Sequence, residues 1–253
     1  MAYCWRKAPG PDGLQHSKSL PASGVLQVIE DALSVVRNLE GRYLWVDRYC
    51  IDHEDLSSKH HQIQNKDKIY EGAIATVVAV ANEGSEPGLH GVGPAPGNSQ
   101  YIMINGNKIL ISTLPHVSKP LRSSVWMARG WTYQEALVSW RRLFFTKFQV
   151  YYVCRTMSWK ESVETPIYPE KCGQYDNDQA TSVMSLEMFD YKANHSVWNR
   201  DPARMVRKLE VFAAHLRQYR SRRFKYDYDA LNSFKGMLSQ SQFYSLWGIP
   251  HTN

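Results

Sequence analysis

The residues best suited to chemistry lie in one short stretch, Arg129 to Glu135, which reads Arg-Gly-Trp-Thr-Tyr-Gln-Glu. It combines a positive charge, a glycine hinge, two aromatic rings and a carboxylate. On a helix, Trp131 and Glu135 lie four positions apart and share one face. An aromatic wall beside a carboxylate suits a ligand that is cationic or that forms an oxocarbenium ion. The alternative is structural, a buried Trp131 with Glu135 paired to Arg129, because ion pairs also produce such clusters.

Other combinations of reactive residues are less specific. Cys50 and His53, with His60 and His61, are ligand types that zinc uses, but no second pair follows at the spacing of a zinc site. No third group that would orient Cys50 and His53 as nucleophile and base is visible. The glycines between residues 88 and 93 precede no Lys-Ser/Thr pair, so a phosphate-binding loop is not indicated. We therefore expect no metal site.

Length and composition indicate an ordinary globular protein. The chain has 253 residues, enough for one large domain or a domain with an appendage, and 43% of them are hydrophobic and 21% charged. The four cysteines are widely spaced and form no CxxC pair, which predicts reduced thiols and a cytoplasmic location. The longest nearly apolar run, Ala73 to Ala81, is far too short to cross a bilayer.

Basic residues are concentrated in one part of the chain. The formal net charge is +6, and many of the arginines lie between Arg200 and Lys225. Such a run usually forms a solvated helix face. Binding of phosphate or of an anionic lipid is the alternative. Because the remaining charge is spread along the chain, we do not expect a nucleic-acid partner.

Helical and strand-like patterns alternate in the first third of the chain. Tyr3 to Trp5 has strand-like residues, and apolar side chains from Val25 to Leu39 recur at helical spacing. Tyr43 to Asp47 and Thr76 to Val80 are nearly continuous apolar runs, typical of strands covered on both faces. A helix is expected between them, from Lys59 to Glu71. This alternation predicts a three-layer α/β fold with a mainly parallel sheet.

The middle of the chain departs from that alternation. Asn105-Gly106, between Tyr101 to Ile104 and Asn107 to Ser112, is a strong signal for an inserted β-hairpin. Two further strands are expected at Arg142 to Thr146 and at Gln149 to Cys154.

The last third has the composition of an appendage. Glu161 to Ser196 is polar and irregular, and helices are expected from Asp201 and from Asp227 to Leu238. We predict an α/β domain over residues 1–155, followed over residues 156–253 by a linker and a helical C-terminal extension that packs on the domain.

Three separated blocks resemble the HET domain, the heterokaryon-incompatibility module of filamentous fungi. The blocks are Leu20 to Ala32, Tyr43 to Asp52 and Arg129 to Glu135. The chain departs from the family pattern where Arg6 replaces a glycine after the opening strand and where His53 replaces a glutamine. The resemblance implies cell-death signalling during non-self recognition.

The order of strands and helices is also similar to that of TIR domains, which have a flavodoxin-like sheet. In TIR domains a Trp-x-x-x-Glu spacing on a helix places a catalytic glutamate against NAD, and Trp131 and Glu135 have that spacing. The resemblance therefore implies Glu135 as a catalytic residue. NAD would be a substrate, and no resident cofactor is expected.

Five further residues are candidates for binding that substrate. Trp131 could stack on the nicotinamide ring, and Arg129 could meet a phosphate. Trp5, Arg6 and Asp47 follow the first two expected strands, at the edge where open α/β sheets bind ligands. Structural roles are the alternatives, with Asp47 capping the following turn and Trp5 buried in the core.

Two functions lead from the sequence, ahead of a third, nucleic-acid binding through the Arg200 to Lys225 stretch. The first is an intracellular cell-death effector that hydrolyses NAD to nicotinamide and ADP-ribose. The second is a non-catalytic signalling module that self-associates or binds a partner, such as an upstream receptor.

Overall fold

The structure, a computed structural model, describes residues 24–52, 54–80, 88–92, 102–104, 107–109, 114, 118–154, 158–162, 213, 215–240, 244–246 and 249–251. Its helices in chain order are α1 (Gln27–Asn38), α2 (Asp47–Cys50), α3 (Leu56–Gln64), α4 (Lys66–Gly72), α5 (Ser118–Arg122), α6 (Val125–Ala128), α7 (Trp131–Val138) and α8 (Tyr228–Gln240). Its strands are β1 (Thr76–Ala79), β2 (Ile102–Ile104), β3 (Asn107–Ile109), β4 (Arg141–Phe145), β5 (Val150–Cys154), β6 (Ser158–Lys160), β7 (Tyr244–Leu246) and β8 (Ile249–His251). The strand expected at Tyr3 to Trp5 and the start of the helix expected from Asp201 lie outside the described residues.

The main sheet is mixed and open. Its strand order is β1-β4-β5-β6. β1 and β4 are parallel, with Val78 opposite Phe144, whereas β4–β5 and β5–β6 are antiparallel. A parallel pair needs a long crossover, which the segment between Ala79 and Arg141 supplies, whereas the short turn between β4 and β5 allows only antiparallel pairing. The α/β class therefore holds, but the expectation of a mainly parallel sheet is corrected for the part of the chain that is described.

The strand expected at Tyr43 to Asp47 is wrong. Residues 43–46 belong to no strand, and Asp47 already begins the short helix α2. Tyr43 is 89% exposed, whereas Val46 packs in the core. The backbone of this segment pairs with none of the described strands. Its apolar side chains therefore pack individually rather than as the face of a strand.

Several local predictions are confirmed. α1 lies within the expected helical stretch, and β2 and β3 pair antiparallel with Ile104 opposite Asn107, as the expected hairpin requires. The strands expected at Arg142 to Thr146 and Gln149 to Cys154 are β4 and β5. α8 corresponds to the last expected helix.

The helix expected from Lys59 to Glu71 is divided in two. Asp55 caps α3 by accepting hydrogen bonds from the backbone of Ser57 and Ser58. Asn65 interrupts the helix, and its side-chain amide donates to the His61 carbonyl at 2.8 Å. The asparagine amide thus competes with backbone N–H groups for a carbonyl of the helix. The interruption makes Lys66 the first residue of α4.

Two hydrophobic clusters cover the two faces of β1. Val77 and Ala79 pack with α1 in one cluster, whereas Val78 packs with α7 in the other. Successive side chains of a strand point to opposite faces, so β1 is buried on both sides. This explains why its sequence is a continuous apolar run.

The segment around residue 223 is joined to the turn before α7. The Arg223 N–H donates to the Ala128 carbonyl at 2.7 Å, and the Gly130 N–H donates to the Arg223 carbonyl at 3.0 Å. Tyr219 and Phe234 lie in the same hydrophobic cluster as Tyr133 of α7. The division of the chain at residue 155 remains a prediction, but this part of the C-terminal region shares a core with the sheet.

Within the described residues, no helix combines the length and the apolar character that crossing a membrane requires.

Gly130 is needed for space. A Cβ at this position would lie 1.9 Å from the ring of Phe224, which packs against the core. We expect Gly130→Ala to lower the free energy of unfolding by about 1–3 kcal/mol, as overpacking does. Gly72→Ala is the control, since its Cβ meets nothing within 4 Å, and it should stay within about 1 kcal/mol of wild type. Urea denaturation measures both, and equal stability of the two variants would contradict the role of Phe224.

Candidate functional site

Helix α7 holds the candidate catalytic stretch in a fixed orientation. The hydroxyl of Thr132 donates to the carbonyl of Arg129 at 2.8 Å, which secures the first turn. At the other end, the hydroxyl of Ser139 lies 2.7 Å from that of Thr76 in β1 and donates to the Glu135 carbonyl. These contacts anchor both ends of the helix, and Ser139 joins its C-terminal end to the sheet.

Glu135 forms a buried ion pair with Lys66 of α4. The Lys66 Nζ lies 2.6 Å from Glu135 Oε1, and the two side chains are only 9% and 6% exposed. A second carboxylate is close by, because Asp47 Oδ2 lies 3.8 Å from the same Nζ and the Asp47 side chain is 22% exposed. Arg129 was the partner considered for Glu135 from the sequence, and Lys66, which was not considered, forms this ion pair with it.

Aromatic rings surround the Lys66 ammonium. Its Nζ lies 5.3 Å from the ring centroid of Trp131 and 5.7 Å from that of Tyr70, both within the range of cation–π attraction. Trp45 packs edge-on against Tyr70 with the ring centroids 5.6 Å apart. We call the six residues that meet here the Lys66 cluster: Trp45, Asp47, Lys66, Tyr70, Trp131 and Glu135.

The pKa of Tyr70 is shifted by its burial and by the charges in the cluster. Burial raises the pKa of its hydroxyl well above the usual value, and the negative charges of Glu135 and Asp47 raise this pKa further. A hydrogen bond from the hydroxyl to the Glu135 carboxylate acts in the same direction, whereas the positive charge of Arg129 lowers the pKa. Tyr70 is thus held as a neutral donor beside Glu135.

The structure brings together part of the predicted set of site residues. Glu135, Trp131 and Asp47 all lie around Lys66, and Arg129 is close enough to act on Tyr70. Asp47 is the first residue of α2 rather than its cap, and its Oδ1 accepts the N–H of the next residue, Arg48, at 2.8 Å. Asp47 therefore has both a local structural contact and a contact in the cluster.

Two of the predicted binding residues, Trp5 and Arg6, lie outside the described residues.

Sequence reasoning missed Lys66 as a member of the site. Tyr70 is buried on α4, and Lys66 lies four positions before it and therefore on the same helix face. A lysine on an inward face needs a buried anion, and that requirement was the available signal. The partner itself could not be found by local reasoning, because Glu135 is 69 residues away.

A second polar network supports α7 from the opposite side. The Tyr133 hydroxyl lies 2.5 Å from His215 Nδ1, and the Arg222 guanidinium lies over the Tyr133 ring at 4.6 Å. Arg222 also donates to the Arg129 carbonyl at 3.0 Å. Burial lowers the pKa of Arg222 to about 10 and raises that of Tyr219 to about 12. α7 is held between this network and Lys66.

Metal binding has no support among the residues that are described, since no three His, Cys, Asp or Glu side chains there form a group that could hold an ion. The thiol of Cys50 instead lies 3.4 Å from the Val46 N–H, which donates to the sulfur.

Fold and site together define an open α/β protein with a buried, charged and aromatic cluster between α4 and α7. A family model described as heterokaryon incompatibility protein (HET) matches residues 1–135, more than half of the chain. The chain belongs to the HET family. Among curated proteins and among solved structures, no match was found. The matched region ends at Glu135 and so includes all six residues of the Lys66 cluster.

Removing Lys66 should be costly because Glu135 would remain buried without its partner. We expect Lys66→Met to lower the free energy of unfolding by about 3–5 kcal/mol. Lys68→Met is the matched control, since Lys68 is exposed on the same helix, and it should change stability by about 0.5 kcal/mol or less. Urea denaturation of both variants at neutral pH decides the matter, and a similar small effect of both would show that the pair contributes little.

Stability should fall in alkaline solution. Buried tyrosines keep their protons in the folded chain at a pH where the unfolded chain, with a pKa of 10.0, loses them. The folded state then binds more protons, so the free energy of unfolding decreases above pH 10 and continues to decrease towards about 12 for Tyr219. Arg222 has the opposite effect between about 10 and 12.5. It is outnumbered by the tyrosines whose pKa is raised, which are Tyr70, Tyr133, Tyr151, Tyr152 and Tyr219.

Urea unfolding at a series of pH values from 8 to about 11 measures this slope. Tyr70→Phe should make the decline shallower, because one of the titrating groups is removed. A free energy of unfolding that stays constant or rises across this range would contradict the pKa directions.

Proposed function

We propose that this HET protein is a cytoplasmic cell-death effector of fungal non-self recognition that hydrolyses NAD to nicotinamide and ADP-ribose. Family membership supports the role in heterokaryon incompatibility. The observation that carries the chemical part is the Lys66 cluster, in which the Glu135 carboxylate and the Trp131 ring lie around one point of positive charge. That environment favours a cationic group.

The proposed reaction needs one carboxylate. Breaking the bond between nicotinamide and ribose leaves positive charge on the ribose, as in glycoside hydrolysis. Nicotinamide departs as a neutral molecule from a cationic ring, so no acid has to protonate it. Water then adds to the ribose carbon and releases one proton. The Glu135 carboxylate would hold the ribose hydroxyls and stabilise the developing positive charge.

Neighbouring residues would bind the rest of the substrate. Trp131 is half-buried and would stack on the nicotinamide ring. Arg129 would meet a phosphate, and Asp47 would bind polar groups at the more exposed edge of the cluster. Trp5 and Arg6 complete the proposed binding set. We also propose that the whole domain has the three-layer arrangement of TIR domains.

The second candidate is a non-catalytic module that works by self-association or by binding an upstream receptor. It is favoured by the state of Glu135, whose side chain is 6% exposed and occupied by Lys66. Large apolar side chains that face solvent support it as well, since Tyr43 is 89%, Ile74 80% and Leu56 75% exposed. In this case the Lys66 cluster would be purely structural.

Nicotinamide release from NAD by the purified chain separates the two candidates. We expect release by wild type and a loss of at least about 100-fold in Glu135→Gln, comparable to removal of a charge-stabilising group in other enzymes. Glu71→Gln is the matched control, because Glu71 is exposed at the end of α4, and it should retain wild-type release.

Absence of release at high protein concentration, or equal release by Glu135→Gln, rules out the hydrolase. Concentration-dependent assembly without NAD turnover, followed by sedimentation or light scattering, would then favour the signalling module.

A further inference from the structure

We propose that Lys66 is a built-in cation that occupies the place of the ligand's positive ring, so that an N-alkylpyridinium ligand must displace the Lys66 ammonium to reach Glu135. The Lys66 cluster is then a self-occupied cation site, and its regulation lies in the movement of one side chain. The choice of an N-alkylpyridinium as ligand class rests on the proposed function.

The ammonium makes every contact that such a ligand would use. It lies 2.6 Å from Glu135 Oε1, 5.3 Å from the Trp131 ring centroid and 5.7 Å from that of Tyr70. A pyridinium ring stacked on Trp131 and facing Glu135 would have the same aromatic and anionic neighbours. The side chain of Lys66 is 9% exposed, so it fills the space in which these contacts meet.

Two cations cannot share this space. Like charges a few ångströms apart repel strongly where little water screens them. Both would also compete for a single carboxylate oxygen and for the face of one indole ring. Entry of a cationic ring therefore requires the Lys66 ammonium to leave.

Asp47 is the alternative ion-pair partner for the displaced Lys66 ammonium. Its Oδ2 lies 3.8 Å from Lys66 Nζ, and its side chain is 22% exposed, compared with 6% for Glu135. A lysine has a flexible four-carbon stem with rotatable bonds, so its ammonium can move towards Asp47 without a backbone change. It would keep one carboxylate partner while its hydration increases. Displacement thus costs less than the complete loss of a buried pair.

Chemical labelling of the wild-type chain tests the displacement. Reductive methylation with formaldehyde and cyanoborohydride modifies accessible lysine amines, and mass spectrometry gives the rate at each site. We expect 1-methylnicotinamide, a permanent cation, to increase the rate at Lys66 several-fold. Neutral nicotinamide should leave it unchanged, and the exposed Lys68 should react equally in all samples. A rate at Lys66 that is unchanged or lower with saturating 1-methylnicotinamide overturns the proposal, as does failure of that probe to bind.

A truncated variant tests the cation site independently of NAD. Lys66→Ala removes the four atoms that correspond to n-propylammonium. We expect n-propylammonium chloride to raise the Tm of this variant in a saturable manner, because a ligand that binds only the folded state stabilises it. n-Propanol and sodium chloride should not, and Lys68→Ala should not respond. Equal responses to the ammonium and to the alcohol would overturn the proposal.

Asp47→Asn probes the second position of the ammonium. With its alternative anchor weakened, Lys66 should be displaced less readily, and 1-methylnicotinamide should bind this variant more weakly than wild type. Equal binding would show that Asp47 takes no part in the displacement.

These results separate the two proposals. NAD cleavage by wild type without any effect of 1-methylnicotinamide on Lys66 would refute the displacement and leave the hydrolase intact. Displacement of Lys66 and binding of n-propylammonium without NAD cleavage would refute the hydrolase and leave the cation site intact.

Discussion

The buried ion pair between Lys66 and Glu135 is the interaction on which the arrangement around α7 depends. Burying two charges costs desolvation free energy, which is offset only when the ions are in close contact and have further favourable neighbours. Here Lys66 Nζ and Glu135 Oε1 are 2.6 Å apart, and a second carboxylate and two aromatic rings lie beside the ammonium. The pair joins α4 to α7 across 69 residues of sequence. Through Asp47 it also fixes the start of α2, so three helices meet at one ammonium.

The pair accounts for only part of the sequence before and within α7. Gly130 leaves room for Phe224, and Thr132 secures the first helical turn. Tyr133 contacts His215, whereas Glu135 contacts Lys66 from another side of the helix. Trp131 remains half-buried against the ammonium. Structural and chemical requirements are therefore met by different residues of one short segment, and the proposed catalytic role concerns only those that face Lys66.

The sequence predicted what depends on local pattern. The β2–β3 hairpin, β4, β5 and the two amphipathic helices α1 and α8 follow from turn residues and periodicity. Sequence-based prediction failed where secondary structure depends on a distant pairing partner. Tyr43 to Asp47 has a strand-like composition, yet none of the described strands pairs with it. The parallel pairing of β1 with β4 was likewise hidden, because it depends on a crossover rather than on either strand.

The candidate site shows the same limit. Trp131 and Glu135 could be chosen from their spacing, and Asp47 from its position after an apolar run. Lys66 could have been suspected from its inward helix face, but its partner Glu135 could not be assigned because it lies 69 residues away in the sequence. Gly130 was interpreted as a hinge, but the reason for a glycine there is the ring of Phe224, which lies far along the chain.

A double-mutant cycle on Lys66 and Glu135 tests the central claim most directly. The free energies of unfolding of wild type, Lys66→Met, Glu135→Gln and the double variant give the coupling between the two side chains. A buried pair predicts a coupling of about 1–3 kcal/mol, with the double variant more stable than the sum of the single effects implies. Additivity within about 0.5 kcal/mol would contradict the account, because it would mean that the two residues do not depend on each other.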